Sequence, residues 1–227
     1  MGDTRYAIYY VPAPGALADF GAAWLGWDPV QGVAVPHPAL PGLPVPVDEI
    51  TATPRKYGLH ATLKPPFRLR QGQTEGALAE AVAAFAARTA PVLLEGLSLS
   101  RLGRFLALTP EGDTTALNAF AAATVRAFEP FRAPLDAAEL ARRRKARLSP
   151  RQDALTLQWG YPYVMEEFRF HITLSGRLDE DRIGAVEAVL AKALPPLPRP
   201  YPIDGLGLLR EDDEGRFHLL HRYALTG

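Results

Sequence analysis

Leu59-His60-Ala61-Thr62-Leu63 and Phe170-His171-Ile172-Thr173-Leu174 carry one pattern twice: an apolar residue, His, an apolar residue, Thr and Leu. Successive side chains of a strand point to opposite faces. Read as strands, both segments put His and Thr on one face and three apolar residues on the other. His60 and Thr62 face away from Leu59, Ala61 and Leu63. His171 and Thr173 face away from Phe170, Ile172 and Leu174. Each copy thus offers an imidazole and a hydroxyl side by side above a hydrophobic layer.

Working outward, the chain repeats around both motifs. After His60 come a predicted helix from about Thr74 to Arg88 and a hairpin made of Gly96-Leu97-Ser98-Leu99 and Gly103-Arg104-Phe105-Leu106-Ala107-Leu108. After His171 come a helix from about Asp179 to Ala193 and a hairpin made of Gly205-Leu206-Gly207-Leu208 and Gly215-Arg216-Phe217-His218-Leu219-Leu220. The two Gly-Arg-Phe triplets stand 43 and 44 residues beyond their histidines. Such matching offsets predict an internal duplication of a strand-helix-hairpin unit. Mixed strands and helices predict an α+β, bilobal duplicated fold, with two antiparallel sheets and flanking helices around a central cleft. Residues 1–227 are read as a single bilobal domain, with lobes at about 1–112 and 165–227 and a helical insert at 113–164.

Before the first motif, Tyr6 to Val11 reads as a strand and Ala16 to Leu25 as a helix. The prolines between Pro29 and Pro54 exclude long regular structure and predict a surface loop that ends at Gly58. The insert reads as helices over about Thr114–Phe128, Asp136–Leu148 and Arg151–Gln158.

The composition is that of a globular chain, 48% hydrophobic and 22% charged. The 25 acidic and 25 basic residues cancel, so no global field attracts a long nucleic acid. The absence of Cys excludes disulfides, thiolate metal sites and a Cys nucleophile. No signal peptide is read at Met1 to Tyr6 and no apolar run reaches about 18 residues, so a cytoplasmic protein without a membrane span is expected.

Two imidazoles and two hydroxyls suit phosphodiester chemistry. An imidazole titrates near 6.5, so at neutral pH one His can take a proton from water while the other gives one to the leaving oxygen. His60 and His171 are the candidate catalytic residues. Thr62 and Thr173 are the candidate phosphate ligands, because a hydroxyl can donate to a non-bridging oxygen. The scheme calls on no metal and no cofactor.

These motifs resemble the 2H phosphoesterase superfamily, named for its two His-x-Ser/Thr motifs. Longer segments are similar to the branch encoded with bacterial phosphonate-degradation genes and labelled a protein of unknown function. They are Trp24 to Pro29, Pro54 to Lys64, Arg142 to Arg144, Leu148 to Gln152 and Trp159 to His171. The resemblance implies a metal-free cleft with catalytic His60 and His171, phosphate on Thr62 and Thr173, and a small phosphorylated substrate such as a ribose cyclic phosphate. An RNA-end 2′,3′-cyclic phosphodiesterase or 2′-5′ ligase-like enzyme is the alternative within the superfamily. A non-catalytic phosphate-ligand binder is the alternative of another class.

Other residues are candidates for holding the rest of a substrate. Arg55, Lys56 and Tyr57 precede the first motif and Lys64 follows it; a basic group there could hold a second phosphate or belong to a solvated loop. Arg142, Arg143, Arg144, Lys145 and Arg147 form a basic run on a predicted helix. That run is either a solvated face or, placed over the cleft, a site for a polyanionic substrate. Tyr161 and Tyr163 could stack on a ring, and Arg169 lies just before the second motif. Oligomeric state is not encoded in any of these patterns.

Overall fold

The two His-x-Thr segments lie next to each other at the middle of one antiparallel sheet. The computed structural model describes residues 4–227; Met1, Gly2 and Asp3, part of the segment read above as lacking a signal peptide, lie outside the described residues. In chain order the elements are β1 (Arg5–Tyr10), α1 (Ala16–Leu25), β2 (Trp27–Asp28), β3 (Val33–Ala34), α2 (Val47–Thr51), β4 (Ala61–Arg68) and α3 (Glu75–Ala87). Next come β5 (Val92–Leu94), β6 (Gly96–Leu102), β7 (Phe105–Glu111), α4 (Thr115–Ala127), α5 (Ala137–Arg144) and α6 (Pro150–Trp159). The chain finishes with β8 (Ile172–Thr173), α7 (Glu180–Ala193), β9 (Tyr201–Ile203), β10 (Gly205–Glu211) and β11 (Phe217–Ala224).

The main sheet has seven strands in the order β11-β10-β1-β4-β8-β7-β6. The sheets expected from the two copies are the halves of this one sheet, joined where Ala61 of β4 pairs with Ile172 of β8. The copies have exchanged hairpins. The first copy's β6–β7 hairpin pairs with the second copy's β8. The second copy's β10–β11 hairpin lies on the β4 side, with β1 between them. The short strands that precede the hairpins, β5 and β9, pair with each other. The duplication read from the spacing is therefore expressed as interlocked halves.

One face of the sheet carries the main core. Ala61, Leu63, Ile172 and Leu174 are no more than 1% exposed there, and Leu59 and Phe170 join the same cluster. Leu78 and Val82 of α3, Leu117 and Phe120 of α4, and Ile183 and Val186 of α7 pack onto them. Fully burying one such aliphatic side chain stabilises by about 1.5–3 kcal/mol, so this layer fixes which way both motifs face. The Pro-rich segment does more than cover the surface. Its short helix α2 sends Val47 and Ile50 into this core. Two indoles fasten the preceding segment: Trp24 Nε1 donates to the Leu174 carbonyl at 2.6 Å and Trp27 Nε1 to that of Phe217 at 3.0 Å.

The opposite face of β1 and β10 holds a smaller cluster of Ala7, Tyr9, Val11, Leu209 and Phe217. It leaves open the part of the sheet above the two motifs. Among the described residues, no helix is long and apolar enough to cross a membrane.

Candidate active site

Because β4 and β8 run antiparallel with Ala61 opposite Ile172, the register sets His60 across from Thr173 and Thr62 across from His171. All four are half-buried on the face away from the core. Directly opposed residues hold their Cβ atoms about 4.5–5.5 Å apart. Each imidazole thus has a hydroxyl from its own strand on one side and one from the other copy across the strand gap.

The two rings are oriented alike. His60 Nδ1 lies 2.9 Å from the Gly58 carbonyl and His171 Nδ1 lies 2.7 Å from that of Arg169. A carbonyl only accepts, so Nδ1 carries the hydrogen in both rings and Nε2 is left for chemistry. Thr62 Oγ1 is 3.3 Å from His60 Nε2 and can donate to it. Gly58 is set by its backbone, with φ of 67°. A Cβ there would come within 2.4 Å of Pro29, so only glycine lets this carbonyl reach the ring.

The surroundings of the two rings differ. Tyr9 stacks on His60 with centroids 4.0 Å apart, and Tyr57 stands at 5.5 Å. His171 has Phe105 at 5.7 Å. Burial under the tyrosines lowers the proton affinity of His60; the Gly58 hydrogen bond opposes this and the nearby His171 adds to it, leaving the imidazole at about pH 4. At neutral pH His60 is a neutral ring whose Nε2 lone pair is an acceptor, for Thr62 Oγ1 or for a water.

A cleft of about 390 Å³ opens over this face, bounded by His60, Thr62 and Thr173 together with Tyr57, Tyr161 and Arg143. His171 is not among the residues that bound it; the strand register sets it across from Thr62, which is. Residues that the sequence reading did not single out also bound it: Arg5 and Tyr9 from β1, Pro65 and Pro66 from β4, and Ser175. Tyr9 and Arg5 share one face of β1 by simple alternation. Only the pairing of β1 with β4 brings that face here.

Several sequence candidates stand elsewhere. Lys64 is corrected most clearly: it is 1% exposed and points to the other face. Between Tyr9↔Thr62 and Ile8↔Lys64 the register slips by one residue. Such a bulge reverses the alternation. Lys64 Nζ bonds Glu129 Oε2 at 3.0 Å and the Val125 carbonyl at 3.2 Å. Arg55 is held by the carbonyls of Leu25 and Asp48 and by Thr51 Oγ1, so it anchors the turn at Arg55–Tyr57 and does not face the cleft. Lys56 lies over the Tyr57 ring at 4.9 Å, outside the cleft lining.

Within the basic run, Arg144 makes a two-pronged pair with Asp153 at 2.7 and 2.8 Å, joining α5 to α6. Lys145 is exposed. Tyr163 is 45% exposed and packs edge-on against Tyr161, with centroids 5.6 Å apart. Arg169 contributes its backbone carbonyl to His171, while its exposed side chain turns back to the Phe168 carbonyl.

A buried polar chain supports the cleft wall from behind. Arg132 Nη2 and Nε bond Glu129 Oε1 at 2.6 and 2.9 Å, and Nη2 also reaches the Gln158 carbonyl at 3.3 Å. Lys64, Glu129 and Arg132 thereby tie β4 to the end of α6. There Gly160, with φ of 77°, turns the chain toward Tyr161. Among the described residues no group of three or more His, Asp or Glu side chains is placed to hold a metal ion.

Residues 62–218 match a family described as "Protein of unknown function (DUF1045)". Two curated relatives are named "Ribose 1,5-bisphosphate phosphokinase PhnN". The one from Janthinobacterium sp. (strain Marseille) is 39% identical over 221 residues, covering 93% of this chain and 48% of that protein. The one from Laribacter hongkongensis (strain HLHK9) is 33% identical over 214 residues, covering 93% and 49%. The chain spans about half the length of these relatives. Among solved structures, TT0787 of Thermus thermophilus aligns over 98% of both chains with 18% identity and a TM-score of 0.44. E. coli LigT complexed with 3′-AMP aligns over 99% of both chains with 18% identity and a TM-score of 0.41.

Proposed function

The chain belongs to the DUF1045 family, and from that premise we propose that it is a metal-independent phosphoesterase that opens a small cyclic phosphodiester to a monoester. The observation that carries this reading is the Ala61↔Ile172 register, which sets two imidazoles and two hydroxyls on one face, with His60, Thr62 and Thr173 lining a cleft. Thr62 and Thr173 donate to the non-bridging oxygens. Neutral His60 takes a proton from water through Nε2 as the water oxygen bonds to phosphorus. The bond from phosphorus to the ring oxygen breaks, and His171 passes the proton on its Nε2 to that oxygen. The product is a monoester with a free hydroxyl. The histidines end with their protonation exchanged, and solvent resets them.

The setting of His60 supports its role, since a base must be neutral at the working pH. A ribose ring is the favoured carrier of the cyclic phosphate. Both the resemblance to the phosphonate-associated branch and the ribose phosphate in the relatives' name point that way. The phosphokinase activity in that name is said of proteins about twice this length.

The roles can be read from pH dependence. The kcat/KM profile reports the free enzyme. His60 titrates at about 4, so the base stays neutral and its contribution to the rate holds from neutral pH down toward that value. Tyr57→Ala admits water to the ring and moves the acid limb up toward the ordinary imidazole value near 6.5. A wild-type limb already near 6.5 that the substitution leaves in place would assign the base to another group.

A further inference from the structure

Among the described residues, the cleft is bounded by three arginines, Arg5, Arg142 and Arg143, and by no carboxylate. Their states differ. Arg5 is neutralised by Glu211, whose two oxygens take its Nε and Nη2. Arg142 has its nearest carboxylate, Glu139, only at 3.8 Å, and Glu139 is already taken by Arg68 at 2.6 Å. Arg143 has no ion-pair partner among the described residues. Its Nε is buried without a hydrogen bond, and its guanidinium lies over the Tyr161 ring at 5.3 Å. Burial and the neighbouring Arg142 and Arg5 lower its proton affinity, against the pull of Tyr161 and Glu139. The Tyr161 ring, met edge-on by Tyr163, gives the guanidinium an aromatic face to lie over.

A half-buried, unpartnered guanidinium is costly unless an anion completes it. The reacting phosphodiester does not serve. It carries one negative charge, and the two Thr hydroxyls already offer its non-bridging oxygens hydrogen bonds. Two positive charges, on Arg143 and Arg142, remain over the same cleft. A phosphomonoester carries a charge of about −1.5 to −2 at neutral pH and offers three oxygens to a guanidinium fork.

We infer that Arg143, with Arg142 beside it, forms a second anion subsite that selects cyclic phosphodiesters bearing an additional phosphomonoester. Its kinetic signature rests on the hydrolytic reading above; its binding signature does not. Arg144 and Lys145 take no part, so the basic run divides between the cleft and the outer surface. Binding energy from such a remote group orients the reacting centre.

The test uses the full chain and a matched pair of ribose cyclic phosphates, one with a 5′-phosphate and one with a 5′-hydroxyl. Arg143→Gln should lower kcat/KM for the 5′-phosphate compound by about 10- to 100-fold, the range of a charge-assisted hydrogen bond. It should leave the 5′-hydroxyl compound within about twofold. Arg143→Lys should restore part of the preference, and the wild-type preference should weaken at high salt. Equal losses on both substrates, or a loss on neither, overturn the subsite. Calorimetric binding of ribose 5-phosphate, which has no cyclic phosphodiester to open, gives the second readout. Binding by wild type that Arg143→Gln abolishes supports the subsite even if neither cyclic compound is turned over, a result that would sink the hydrolytic reading alone. Unchanged binding in the variant, or no binding by wild type, overturns it.

Discussion

Alanine at either His60 or His171 lowers kcat/KM by about 10²- to 10⁴-fold, the usual contribution of a positioned acid or base. The register sets the basis for this. Each Nδ1 is committed to a carbonyl two residues earlier, so each ring has only Nε2 left for proton transfer. Acid and base act in one step, so the double variant should be little worse than the worse single one. The two losses should separate by pH. Without His60 the acid limb at about 4 disappears, and without His171 it persists on a lower plateau. Steady-state kinetics with a ribose cyclic phosphate measures both. A loss of less than about tenfold in either variant would place that ring outside the proton transfers.

Glu129→Ala destabilises the fold by about 3–5 kcal/mol, the cost of stripping the partner from a buried charge. Lys64 is 1% exposed, and its Nζ would keep only the Val125 carbonyl; Arg132, 8% exposed, would lose its three hydrogen bonds to the carboxylate. Lys64→Met should cost far less. It removes the buried charge and fills similar space, while Glu129 keeps Arg132. Urea unfolding compares the two, a shift in midpoint at constant slope reporting stability. Similar small losses in both variants would mean that the Lys64–Glu129 contact carries little of the stability.

Period-two alternation was enough to place His60, Thr62, His171 and Thr173 on one face and their apolar neighbours on the other, because a strand's faces follow from local geometry. The repeat spacing likewise announced two equivalent units. Sequence did not announce that the units exchange hairpins, or that β1 slips between β4 and β10, because pairing between distant strands is decided by packing. Arg5 and Tyr9 reach the cleft only through that insertion. Lys64 departs from its sequence pattern for a different reason: strict alternation puts it beside Thr62, and a single extra residue in β4 turns it into the core. On α5, Arg143 and Arg144 are chemically equivalent as written. Successive helical side chains diverge by about 100°, so the docking of α5 over the cleft gives one of them to the site and the other to Asp153.

The central claim, that two histidines open a cyclic phosphodiester without a metal, is tested most directly by following a ribose cyclic phosphate by phosphorus NMR with the purified chain in excess chelator. The expected result is conversion of the cyclic diester signal to that of a monoester, at the same rate with and without chelator. A cyclic diester that persists, or is opened only when a divalent metal is restored, would contradict it.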